Sequence, residues 1–135
     1  MEKFELRENY TAYASSSNPA GLSVRDRLPR SIDWSYGGTE FKLECSDGLI
    51  AKFFEPNIFV IEAPYVTEKN RARIFSVDGK IVADLPRVAD CRAMIYYDIL
   101  SLGAEVVFLA STNAGDLRLN IDLITGKILS IREFR

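Results

Sequence analysis

The chain has 135 residues, 47% of them apolar and 27% charged, which is the length of one domain and the composition of a globular protein rather than a disordered segment. Its 17 Lys and Arg against 19 Asp and Glu leave a net charge of −2, spread without a tail or stripe of one sign, which speaks against a nucleic-acid or anionic-membrane surface. Histidine is absent, which removes the commonest general base, the usual catalytic triads and most zinc sites.

The opening residues "MEKFELRENY" contain no apolar core of an export signal, and no apolar run nears the ~20 residues that cross a bilayer. The expectation is a cytoplasmic protein without membrane association. Cys45 and Cys91 are then reduced, small apolar residues, and with no Cys-x-x-Cys pair they build no metal site. In that compartment the sequon Asn9-Tyr10-Thr11 carries no glycan. Residues 1–38 read as an irregular arm of a single domain, because from Asn9 to Gly38 small polar residues, prolines and glycines show no sustained period. Within it Ser23 can cap one short helical turn towards Leu28, which Pro29 would end.

From Glu40 onward short apolar runs rich in Val, Ile, Phe and Tyr alternate with Gly, Pro, Asn and Asp, the punctuation of strands and turns. The predicted strands are Phe41–Cys45, Leu49–Phe54, Ile58–Ala63, Arg71–Val77, Lys80–Leu85, Met94–Leu100, Glu105–Ala110, Arg118–Ile124 and Lys127–Arg132. One segment is ambiguous. Pro86, apolar residues at 88, 91, 95, 99 and 102, and Gly103 also fit a helix from Val88 to Leu102.

An internal repeat favours strands there. "VDGKI" (77–81) returns as "ITGKI" (124–128), and an ungapped step of 47 residues lays 49–63 on 96–110 and 71–85 on 118–132 with apolar positions coinciding. The proline turn Glu55-Pro56-Asn57 falls on Leu102-Gly103-Ala104, so both copies turn at that point. Neither Gly-Lys is a phosphate loop: Ile74 and Ile121 stand where its first glycine belongs, and Ile81 and Ile128 where its Ser or Thr belongs. The glycines read instead as hairpin residues at positive φ.

The chain is therefore expected to be mainly β, with two four-stranded antiparallel meanders at 49–85 and 96–132. Such a unit, with the phrase "DLITGKIL" between its last two strands, resembles a single blade of a β-propeller. A closed propeller needs four or more blades. Two units must pack instead as a β-sandwich or strongly bent sheet, with Trp34 and the arm covering an edge or an open face.

For chemistry, the acids nearest to strands are Glu40, Glu44, Asp98 and Asp122, but nothing in the sequence pairs them, and solvated partners for cross-strand cations is the simpler role. Aromatics are more suggestive. "IDWSYGG" (32–38) joins an indole and a phenol to a flexible Gly-Gly, and "IYYD" (95–98) points two tyrosines to opposite faces of a strand. Core filling and interface anchoring both fit Trp34.

Size, weak acidity and the want of active-site residues make the chain similar, as a class, to the immunity proteins that neutralise bacterial toxins. That resemblance implies a non-enzymatic binder of a protein partner, such as a basic nuclease toxin domain, working without cofactor or metal. The residues expected to contact the partner are Trp34 and Tyr36 as anchors and Asp33, Asp98 and Asp116 as steering or pairing charges. The alternative is a β-domain that binds or processes a small molecule or sugar.

Overall fold

The computed structural model describes residues 5–9, 28–89 and 92–134, and among them the chain forms strands and no helix. Tyr10, Thr11, Cys91 and the turn expected between Ser23 and Leu28 lie mostly outside the described residues.

The first sheet joins β1 (Arg7–Asn9), β2 (Ser31–Tyr36) and β3 (Thr39–Glu44), antiparallel and in that order. This corrects the expected arm, since residues 31–36 are a regular strand. The hairpin closes on Gly37 and Gly38, both at positive φ (58° and 81°), which is the two-residue turn that matches the twist of paired strands. Ile32 and Trp34 alternate with Ser31, Asp33 and Ser35, and Leu43 and Phe41 face them across the pair. The sheet thus has one apolar and one polar face.

The second sheet is the meander β4 (Leu49–Phe54), β5 (Asn57–Glu62), β6 (Arg71–Ser76) and β7 (Ile81–Asp84). A short ribbon, β8 (Val88–Ala89) with β9 (Arg92–Ala93), leads to the third sheet, the meander β10 (Ile95–Leu102), β11 (Glu105–Thr112), β12 (Gly115–Asp122) and β13 (Ile128–Phe134). The stretch that also suited a helix is therefore extended. All nine strands expected from Phe41 onward are present, with ends displaced by three residues at most.

The 47-residue step carries the register of the middle pair. Ile58 stands opposite Phe75, and one step on Glu105 stands opposite Asp122. Outer pairs do not follow it: β10 contains a bulge between Tyr96 and Asp98 and its hairpin turns on Gly103-Ala104, and Ser130 stands opposite Asn120 where Ala83 stands opposite Ile74.

Two apolar clusters hold three layers together. In the larger, Phe59, Ile61, Ala72 and Ile74 of the second sheet meet Val106, Phe108, Leu119 and Ile121 of the third, all fully buried. These are the same positions one step apart, so the two sheets meet through equivalent faces, as a sandwich, rather than following one another around a ring. In the smaller cluster, Ile58, Val60 and Phe75 on the opposite face of the second sheet pack against Ile32 and Trp34, with Phe41 and Leu43 at the border. The middle sheet is covered on both sides, which is why β5 is buried without interruption from Asn57 to Ile61 and shows no alternation in sequence. One step on, Ile58 and Phe75 become Glu105 and Asp122. Two charges replace apolar contacts at the end of that face of the third sheet, while Val107 and Leu109 of the same face stay buried.

Buried polar groups fix the crossing from the second sheet to the third. The Asn70 amide donates to the carbonyl of Tyr96 (2.9 Å) and accepts from its N–H (2.7 Å), and Asn57 donates to the carbonyls of Leu123 (2.9 Å) and Ile124 (3.1 Å). Each stitches a backbone that the sheet ladders leave unpaired.

Candidate partner-binding surface

The five residues expected to contact a partner do not form one surface. Asp33 and Tyr36 lie on the first sheet, Asp98 and Asp116 on the third, and the second sheet stands between them. Trp34 faces inward. It is 2% exposed, stacks on Phe41 with ring centroids 5.6 Å apart, and its indole N–H donates to the Val77 carbonyl at 2.9 Å. That corrects its assignment as an anchor and settles its role as core filling.

Asp33 and Tyr36 are brought together on the hairpin β2–β3. The outward face of this sheet carries Arg7, Asn9, Asp33, Ser35, Glu40, Lys42 and Glu44 in cross-strand register. Asp33 accepts from the Arg7 guanidinium and from Asn9 (2.8 Å), Arg7 also donates to Glu40 (2.8 Å), Ser35 donates to Glu40, and Lys42 lies 3.0 Å from Glu44. Past the last inward apolar pair, Tyr36 is only half covered, 51% exposed beside Gly37. The hairpin thus presents an exposed phenol next to its turn and, on the other face of the sheet, carboxylates paired with Arg7, Asn9, Ser35 and Lys42.

On the third sheet, Asp98 sits at the β10 bulge, accepts from the N–H of Ile99 (2.8 Å) and lies 3.8 Å from the Lys52 ammonium, while Asp116 accepts from the Tyr97 hydroxyl at 2.9 Å. Burial, and then the Asp116 carboxylate, hold the Tyr97 hydroxyl above its ordinary pKa. The acids considered for catalysis are dispersed too. Asp122 caps the turn before β13 through the N–H groups of Ile124 (3.0 Å) and Thr125 (2.8 Å), and Glu40 and Glu44 serve the ion pairs above. Among the described residues no group of three or more Cys, Asp or Glu is placed to hold a metal ion, and no helix is long and apolar enough to cross a membrane.

The Asn9 amide, and then the Arg7 guanidinium, hold the Asp33 carboxyl below the usual carboxylate pKa, and Arg71 does the same for Asp84 at 2.5 Å. Because the folded state binds these protons more weakly than the unfolded chain, the stabilisation is complete above the unfolded value of about 3.9 and is lost as pH falls through the lower folded values. Thermal melts from about pH 6 to about pH 3 should show stability falling below about pH 4. Asp33→Asn and Asp84→Asn should each flatten that fall, and parallel curves for wild type and both variants would show that these carboxylates do not drive it.

One exposed feature has no counterpart among the residues expected from sequence. Strand β13 is an edge, and along it Ile128, Leu129 and Ile131 are 39%, 53% and 44% exposed, next to the still more exposed Ile124. The signal was present, since the last strand of a meander is an edge and here carries apolar residues at both parities.

No family model and no curated protein matches the chain. Among solved structures it is similar to a chain from the "Structure of Tne2 in complex with Tni2", at TM-score 0.65 and 16% identity over 86% of this chain and 90% of that one, a likeness of fold.

Proposed function

We propose that this protein acts in the cytoplasm by stoichiometric binding to a protein partner, turning nothing over, and that the partner is a toxin domain whose action it blocks. The observation that carries this reading is the β2–β3 hairpin, which exposes Tyr36 next to its turn and presents the carboxylates Asp33, Glu40 and Glu44 on its outward face. A rigid aromatic ring gives contact area at small entropic cost, and fixed carboxylates steer and register a basic partner such as a nuclease. The fold likeness to a chain solved in a two-protein complex supports it.

The test is co-expression with the product of the gene directly upstream, scored by host survival and by isolation of a complex. A complex that protects the host is expected, and Tyr36→Ala should weaken it by roughly tenfold or more, with an unchanged melting temperature. If no complex forms, and the purified protein turns over a small substrate in a reaction that Glu44→Gln abolishes, the enzymatic reading replaces this one.

A further inference from the structure

The turn before β13 and its counterpart before β7 are treated differently by the fold. Gly126 packs its turn onto the second sheet: a Cβ there would lie 2.9 Å from Val82 and 3.2 Å from Ala83. One step on from Val82 is Leu129, each the bulged residue of its strand, whereas Ser130 stands opposite Asn120 and does not correspond to Ala83 opposite Ile74; were the sandwich symmetric, the Gly79 turn would cover Leu129. It does not, because Gly79 is engaged on the other side by Phe41 of the first sheet. The first sheet thus diverts the turn that would have sheltered β13, and Leu129 remains 53% exposed where Val82 is partly buried against the larger cluster.

Among the described residues no strand pairs with the outer edge of β13. A seven-residue edge with apolar side chains is a template for another strand. The sequence of β13 is complementary to itself when reversed. Antiparallel pairing centred on Ser130 sets Leu129 across from Ile131 twice, Ile128 across from Arg132 twice and, with Lys127 just before the strand, Lys127 across from Glu133 twice, about a two-fold axis. A shift by one residue instead sets Lys127 across from Arg132.

We infer that the occupant of this edge is a second copy of the chain, so that two third sheets join through β13 into one continuous eight-stranded sheet. The surface is separate from the β2–β3 hairpin, which remains open on each protomer, and the dimer is bivalent towards any partner bound there.

Sedimentation equilibrium of the full chain tests this without a partner. A species of twice the chain mass is expected. Lys127→Glu should raise its dissociation constant roughly tenfold or more by setting like charges across the axis twice, and Lys127→Glu with Glu133→Lys should restore it. Ile131→Lys should give a monomer, with circular dichroism and melting temperature showing that the exposed substitution leaves the fold intact. Tyr36→Ala should leave the dimer unchanged. A monomer at every concentration, a dimer that survives Ile131→Lys, or a double charge reversal that fails to recover association overturns the inference. None of these outcomes depends on whether the hairpin binds a toxin.

Discussion

Gly79→Val is expected to lower the melting temperature by roughly 10 °C or more, the largest effect of any single substitution in a turn of this protein. Two causes act together. Gly79 has φ of +84°, where a side chain with a Cβ costs roughly 1–2 kcal/mol. A Cβ there would also lie 2.5 Å from the ring of Phe41, which is stacked on Trp34. Such overpacking costs typically ~1–3 kcal/mol more. Gly37 and Gly103 separate the causes, since both have positive φ but open space where a Cβ would stand. Gly37→Ala and Gly103→Ala should each cost about 1 kcal/mol, the backbone strain alone. Thermal denaturation of the wild type, Gly79→Ala, Gly37→Ala and Gly103→Ala decides. If Gly79→Ala melts level with Gly37→Ala, the turn is not wedged against Phe41 and the packing of the first sheet on the second is wrong.

Trp34→Ala should cost about 3–5 kcal/mol in urea unfolding, because it empties the largest side chain from the smaller apolar cluster. Trp34→Phe keeps most of that volume and stacking but removes the donor to Val77, leaving a part-buried carbonyl unpaired at about 1–3 kcal/mol. Were Trp34 an anchor for a partner, either substitution would weaken binding and leave unfolding unchanged. Unfolding curves that superpose on the wild type would restore it to the binding surface.

The strands from Leu49 onward were legible because each is a short apolar run closed by Gly, Pro or Asn, and because the 47-residue step doubled every signal. The hairpin at 31–44 was not, although "SIDWSYGGTEFKLE" alternates on both sides of a two-glycine turn. Its polar composition and the serine-rich stretch before it hid the period of two. Sequence placed Trp34 and Tyr36 in the same motif but could not separate them. They lie on the same side of β2, and only the reach of the sheet beneath decides that Trp34 is covered and Tyr36 is not. Nor could spacing along the chain show that Asp33 and Asp116 fall on outer layers with a sheet between them. The edge at β13 was missed for a related reason: its apolar residues look like core until one sees that the Gly79 turn has gone elsewhere.

The middle sheet, walled on both sides, also sets the order in which the protein becomes safe from aggregation during synthesis. Each sheet is built from strands consecutive in the chain, so the first two can form and dock as soon as residues through Leu85 have emerged. At that moment Phe59, Ile61, Ala72 and Ile74 still face water, and they stay bare until the strands of the third sheet have emerged. A half-closed chain of this kind would expose an apolar face until the third sheet closes over it, and that closing ends the interval in which a chaperone would have something to hold.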